Sequence, residues 1–456
     1  MRKSIPFCLS LTLFILLLTY MASPAPAVAA GYSFQTGVVT ASAAEVYAEA
    51  YQDSAVISRM AQGAEYPVLG FSAGDTLRSI HTVKPKETLY VIAQSYQVTV
   101  SSLKQWNHLA GDNITVGQKL SIPDTYVQLQ LLGGRKGWVR HSKLRFKKQS
   151  ALIFGWNFGT NAATLIRQSS RPNLNVVSPR WFVINSGPSV VTINENAGYV
   201  QAMHNRGKRV WPLLGNRFDA TLTYTVLSDA AKRHKLVIKL RDSLIRTGAD
   251  GVNVDFENID LRNRQDFVNF IKELKAALAP KGKIVSVDVT RTNPDPNWSG
   301  SFDRAALGRA ADYLIMMGYE EHWGGSSHPG PVASLPWVRG GITELMKDVP
   351  SHKIILGIPF YTRQWVTDQA TGKVTSTDLT MQGAVNRIKS NHAQIQWDPA
   401  ASQRYAAYTV NGKLHQLWLE DELSTRLRYD LVKQYRLKGV AAWYVGAETP
   451  DIWRLF

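Results

Sequence analysis

"GADGVNVDFENID", residues 248–260, decides how this chain is read. From Val252 to Glu257 the side chains alternate strictly: Val252, Val254 and Phe256 have one parity, Asn253, Asp255 and Glu257 the other. Such alternation marks a strand with two unlike faces, and its ordinary outcome is a half-wetted strand. The surrounding sequence excludes that outcome. From residue 151 onward, eight candidate strands (ALIFGWNF, RWFVINSG, RVWPLLGN, GVNVDFE, KIVSVDV, DYLIMMGY, KIILGIPFY and GVAAWYVG) alternate with amphipathic helical stretches. One of these, QDFVNFIKELKAAL, puts Phe267, Val268, Ile271, Leu274 and Leu278 on one stripe, with Pro280 and Gly282 beyond its end. Eight buried strands with crossover helices predict an α/β fold, a (β/α)8 TIM barrel over residues 150–456. Helices cover the outside of such a barrel. The valines and Phe256 therefore belong against helices, and Asn253, Asp255 and Glu257 face the interior.

Residues 365–425, between the seventh and eighth strands, are too many for a loop. They hold RYAAYTV-NG-KLHQLWL, a hairpin with Asn411-Gly412 at its turn, and predict a small α+β insertion on the upper rim.

In a barrel of this kind the chemistry gathers at the C-terminal ends of the strands, and Glu257, last in line, reaches the mouth. Asp255 and Glu257 are two residues apart, so their Cα atoms lie roughly 7 Å from each other and both approach a substrate from one side. Ordinary two-carboxylate glycoside hydrolysis needs its carboxyl groups on opposite faces of the sugar ring. A pair on one side needs another nucleophile, and the carbonyl oxygen of a 2-acetamido group on the sugar can serve. Glu257 then protonates the leaving oxygen and later activates water, while Asp255 orients the acetamido N–H.

DGVNVDFE resembles the Asp-x-x-Asp-x-Asp-x-Glu signature of glycoside hydrolase family 18, the chitinases and endo-N-acetylglucosaminidases, and the resemblance extends over residues 151–456. It includes MGYEEHW, where Tyr319 matches the tyrosine that hydrogen-bonds the acetamido carbonyl, and GVAAWYVG, where Trp443 matches the tryptophan that floors the reactive subsite. With LPWV following and the N-terminal segments below, the chain looks like bacterial spore-cortex and cell-wall N-acetylglucosaminidases. It departs from the family pattern at Asn253, which replaces the middle aspartate, and at Glu320, where Asp or Asn usually follows the tyrosine. The Asn253 amide is expected to donate to Asp255, keep it ionised and alter the pH profile. Asp250, of opposite parity at the strand's start, reads as structural. Asn185 and Asn216, ending the second and third strands, are expected to contact sugar hydroxyls, with Glu320 and Trp323 in the substrate cleft. Trp323 and Trp365 near strand ends fit sugar stacking as well as core packing. Asp288 and Glu320 with Asp255 and Glu257 show no distinctive ligand spacing, so neither metal nor cofactor is expected.

The segment 80–123 contains two short helical patterns: Leu89, Ile92 and Ala93 after a capping Thr88, then Val100, Leu103 and Trp106. HTV and KLSIP flank them as strands. This βααβ unit resembles a LysM module through TVKPKETLYVIAQSY, LKQWNHL and VGQKLSIP, with Lys86 where the family usually has glycine. The resemblance implies a shallow groove for N-acetylglucosamine-containing glycans between the Lys86–Leu89 and Gly111–Thr115 loops, with Glu87, Thr88 and Asn113 as contacts. Around it, residues 33–79 and 124–147 resemble the two halves of a bacterial Src-homology-3-like wall-targeting domain, the closing GWV lying after the LysM segment. The LysM unit is then an insertion in a small β-barrel.

Residues 1–29 read as a cleaved signal peptide: Arg2 and Lys3, an apolar run too short to span a bilayer comfortably, then SPAPAVAA. Cys8, the sole cysteine, lies inside it, which excludes disulfides and thiol chemistry from the mature protein. Residues 1–30 contain two cations and no acid, so removing them takes the formal charge from +17 to +15. A basic exported chain suits an anionic cell wall or spore surface, and no nucleic-acid motif accompanies the charge. The expectation is a secreted monomer that cleaves peptidoglycan or another N-acetylglucosamine polysaccharide. A chitinase and a glycan-binding barrel without activity stand as alternatives.

Overall fold

The computed structural model describes residues 32–456 apart from 52, 97 and 160, so the expected leader lies outside the described residues. The eight expected strands form the staves of one barrel: Leu152–Asn157, Val176–Ile184, Leu213–Gly215, Gly251–Asp255, Ile284–Thr290, Tyr313–Met317, Ile354–Pro359 and Gly439–Trp443. Each pairs in parallel with the next, and the eighth pairs with the first, which closes the ring. The third stave is short because Pro212 has no N–H to give a ladder; Arg209–Val210 pairs below it and Leu213–Gly215 above. The alternation in the fourth stave resolves as expected. Val252, Val254 and Phe256 are fully buried in the layer between strands and helices. Phe256 stacks on Phe267 and Phe270 of the helix Arg264–Leu278, at centroid distances of 5.8 and 5.9 Å. Inside the ring lies a separate apolar plug that includes Phe154, Trp156, Trp211, Ile315 and Ile355. Among the described residues no helix is long and apolar enough to cross a membrane.

The rim insertion begins a few residues earlier than the sequence indicated. Tyr361–Asp368 leaves the seventh stave and starts a five-stranded antiparallel sheet that packs on the helix Met381–Ser390. Its hairpin pairs Val410 with Lys413 across Asn411 and Gly412, at φ of 50° and 69°, the left-handed pair that a two-residue turn demands.

The N-terminal residues form a seven-stranded antiparallel sheet. Two of its strands are long. Glu65–Thr82 and Lys119–Gln130 pair from Val68 opposite Leu129 to Thr82 opposite Lys119, running through two hydrophobic clusters. One cluster holds Val46, Val127 and Val139; the other holds Leu89, Ile92, Leu103 and Leu120 under the helices Leu89–Tyr96 and Val100–Trp106. Thr88 accepts the Val91 N–H at 3.2 Å and so caps the first helix. Lys86 sits at φ 69°, which accounts for glycine being the usual residue there. This unit meets the barrel at the end opposite its mouth: Gly133 N–H donates to Met346 O at 2.7 Å, and Gln130 Nε2 donates to Tyr435 O at 3.0 Å. Both acceptors precede the starts of the seventh and eighth staves.

Candidate active site

The mouth is built from the ends of the fourth, fifth, sixth and eighth staves. Asp255 ends the fourth and Glu257 follows two residues on. Burial pushes Asp255 up to about 7, less far than burial alone would take it, because Asp288 hydrogen-bonds to it. Glu257 is held well above the usual carboxylate range, first by burial and then by the charges of Asp255 and Glu320. Two acids at the end of one strand thus stand in the states that acid chemistry at neutral pH requires: one protonated, one ready to ionise.

Asn216 was expected on sugar hydroxyls; it is a backbone clamp instead. It is buried, its Nδ2 donates to Glu257 O at 2.7 Å and Thr223 Oγ1 at 2.9 Å, and its Oδ1 accepts the Glu257 N–H at 3.1 Å. A side-chain amide at the end of the third stave thereby fixes the peptide that carries the acid. Asn185 is also engaged locally: it accepts Gly187 N–H at 2.9 Å and donates to Thr192 Oγ1 at 3.1 Å in the turn after the second stave.

Asn253 corrects the sequence reading most. Its Nδ2 donates to Asp288 Oδ1 at 2.7 Å and Ser286 Oγ at 3.1 Å, not to Asp255. Its Oδ1 accepts Trp156 Nε1–H at 2.7 Å, which settles which end of the amide points where. These partners lie across the ladder on the neighbouring strand, where alternation along one strand does not reach. Ser286 and Asp288 have interior parity on the fifth stave, as Asn253 and Asp255 have on the fourth, and that parity was readable in KIVSVDVT. Asp288, weighed from the sequence only as a metal ligand, is therefore the residue whose part in the site sequence reasoning missed: 1% exposed, with Oδ2 buried and lacking a donor, and held well above its ordinary range by burial and the Asp255 charge.

Tyr319, two residues past the sixth stave, is buried with no partner for its hydroxyl, and burial raises it further above its ordinary range. Its ring lies against Trp443 at 6.0 Å and 28°, and Trp443, half-buried at the end of the eighth stave, is wedged edge-on by Trp156 and Phe158. Glu320 is tied to the rim insertion: its two oxygens accept from Arg363 Nη1 and Nη2 at 2.9 and 3.0 Å, and Tyr361 donates to one of them. Arg363 in turn donates to Asp378 at 2.8 Å and to His322 O at 2.7 Å.

Trp323 is 62% exposed on the rim, whereas Trp365 is fully buried with its indole N–H on Gly330 O, a core residue and no sugar platform. Asp250 accepts Val210 N–H at 2.8 Å and His204 Nε2 at 2.9 Å at the closed end, the structural role its parity indicated. Among the described residues no group of His, Cys, Asp and Glu is placed to hold a metal. In the N-terminal unit, Glu87 accepts from His81 and from Lys84 N–H at 2.8 and 2.7 Å, and Asn113 is exposed.

The profile of glycosyl hydrolases family 18 matches residues 181–448, and that of the LysM domain matches residues 81–123. The putative sporulation-specific glycosylase YdhD of Bacillus subtilis is 27% identical over 414 residues, covering 82% of this chain and 97% of that protein. The cortical fragment-lytic enzyme of Bacillus subtilis is 26% identical over 52% of this chain and 56% of that protein. Among solved structures, the Bacillus cereus spore cortex-lytic enzyme SleL superposes with a TM-score of 0.62 at 21% identity, over 82% of this chain and 85% of that one. A chitinase from Chromobacterium violaceum superposes with a TM-score of 0.61 at 25% identity, over 67% of this chain and 98% of that one.

Proposed function

The chain belongs to glycosyl hydrolases family 18 and carries a LysM domain; from that premise we propose that it is an exported hydrolase cleaving β-1,4 bonds after N-acetylglucosamine in peptidoglycan, with retention and with the substrate's own acetamido group as nucleophile. The observation that carries this reading is the placement of Asp255 at the end of one strand with Glu257 two residues beyond it, while Glu320, just past the sixth stave, is already bonded through both oxygens to Arg363. In the proposed sequence Glu257 gives its proton to the glycosidic oxygen as the C1–O bond breaks, and the acetamido carbonyl oxygen closes on C1. Asp255 accepts the acetamido N–H, and the unpartnered Tyr319 hydroxyl donates to the oxygen that attacks. Glu257, now ionised, takes a proton from water, whose oxygen bonds to C1 as the bond between C1 and the acetamido oxygen breaks; the ring that the acetamido group had closed opens, and the product is the β-anomer. Trp443 would lie under the sugar being attacked, and Trp323, Glu320 and the LysM residues Glu87, Thr88 and Asn113 are kept as further glycan contacts.

Peptidoglycan is favoured over chitin by the LysM domain, by the basic charge and by relatives named for sporulation and cortex lysis. The N-terminal sheet is proposed as the Src-homology-3-like wall-targeting part, and the protein as a wall- or spore-associated monomer. Digestion of purified cortex and vegetative peptidoglycan, with products identified by mass, tests the substrate. New ends bearing N-acetylglucosamine that disappear with Glu257→Gln are expected. Turnover confined to chitin would move the reading to the chitinase, and equal, negligible release by both proteins would move it to a binding module.

A further inference from the structure

The fourth and fifth staves bring two carboxyls together without a cation between them. Val254 lies opposite Val287 in the ladder, so Asp255 and Asp288, the next interior pair, face one another at the top of the ring. Two ionised carboxylates offer only acceptors, and their hydrogen bond exists only with a proton in it. Which oxygen carries that proton is decided from the far side. Trp156 donates to Asn253 Oδ1 at 2.7 Å, so the amide must present Nδ2 to its neighbours, and Nδ2 donates to Asp288 Oδ1 at 2.7 Å. Oδ1 is thereby kept as the acceptor oxygen, which leaves Oδ2, buried and with no donor pointing at it, as the oxygen open to a proton.

We infer that Asp288 is a positioning residue that shares one proton with Asp255 across the two strands, with Trp156 and Asn253 fixing the direction in which that proton points. The inference rests on the reading of Asp255 as the group that takes the acetamido N–H. Asp288 Oδ2–H donates to one oxygen of the Asp255 carboxylate and leaves the other for the substrate. No proton leaves the pair during the reaction, and the pair carries one negative charge where two would repel. The other titratable groups facing it are Glu257 from the fourth stave and Tyr319 from the end of the sixth; the first stave contributes the neutral Trp156, and the fifth its own Ser286. A single amide at 253 is what makes this work, because a carboxylate there would need a further proton to face Asp288.

The test is the pH profile of kcat for the full-length chain on soluble N-acetylglucosamine-containing peptidoglycan fragments. Asp288→Asn keeps an N–H donor on Asp255, and its acid limb is expected within half a pH unit of wild type, a shift of less than about threefold in proton affinity. Asp288→Ala removes the donor, and its acid limb is expected to move up by about one pH unit, with kcat falling more than KM changes. If Asp288→Ala does not fold, Trp156→Phe replaces it: a freed Asn253 can turn its oxygen to Asp288, draw the proton to Oδ1 and shift the limb upward as well. Coinciding acid limbs in all variants, or an Asp288→Asn limb displaced as far as that of the donor-deleting variant, overturn the inference. A wild-type chain that releases no reducing ends at any pH refutes instead the functional reading beneath it.

Discussion

At the scale of single residues, the site is a place where the fold holds acids against their solution preference. Glu257 is kept protonated by burial and by neighbouring negative charge, which is useful for an acid catalyst and costly for the fold. The sign follows from linkage. Below the ordinary glutamate value of about 4.3, folded and unfolded chains both hold the proton and the residue is neutral to stability. Above it the unfolded chain releases the proton while the folded chain keeps it, so stability drains away as pH rises until the folded carboxyl titrates too. Glu257→Gln is therefore expected to lose activity by at least about 10²-fold and yet to melt above wild type at pH 8, by about 2–4 °C for each kcal/mol of relief. At pH 4 the two proteins should melt together. A melting difference equal at both pH values would show that the carboxyl is not held protonated by the fold.

At the scale of elements, the rim insertion reaches into the site through one arginine. Arg363 is nearly buried on the insertion's first strand, and it bridges Glu320 at the end of the sixth stave to Asp378 on the insertion's own sheet. Arg363→Ala would leave Glu320 without its bidentate partner and its charge less balanced in front of Glu257. Glu257 should then hold its proton to higher pH, so the alkaline limb of kcat is expected to move up while KM rises as the insertion loosens. An alkaline limb that stays in place would show that Glu320 does not act on the acid.

Much of this scale was legible in the sequence: the eight staves, the stripe of the helix Arg264–Leu278, and the Asn411-Gly412 turn all follow from period and turn chemistry. The partners across strands were not. Asn253, Asn216 and Asp288 each find their bonds on a neighbouring stave, and lateral register is invisible in one strand's alternation. The insertion's start at Tyr361 escaped because the seventh stave runs into it with no turn residues between.

For the whole molecule, the N-terminal unit is joined to the barrel's closed end, so the catalytic mouth faces away from the module that carries the LysM helices. Glycan retention and cleavage are then separable, although the excess positive charge lies on both parts, +5 over residues 31–150 and +10 over residues 151–456. Raising salt from 50 to 500 mM shortens the Debye length from roughly 14 to roughly 4 Å, and retention on insoluble peptidoglycan is expected to fall with kcat on soluble fragments unchanged. Retention and turnover falling in parallel would place the electrostatics in the active cleft instead.

The central claim is that the nucleophile belongs to the substrate, and the anomeric configuration of the fresh reducing end tests it most directly. Proton NMR in the first minutes of digestion, before mutarotation, is predicted to show the β-anomer alone for the wild-type chain and no new anomer for Glu257→Gln. An α-anomer appearing first would mean that water attacks C1 directly across from Glu257, and would contradict the account.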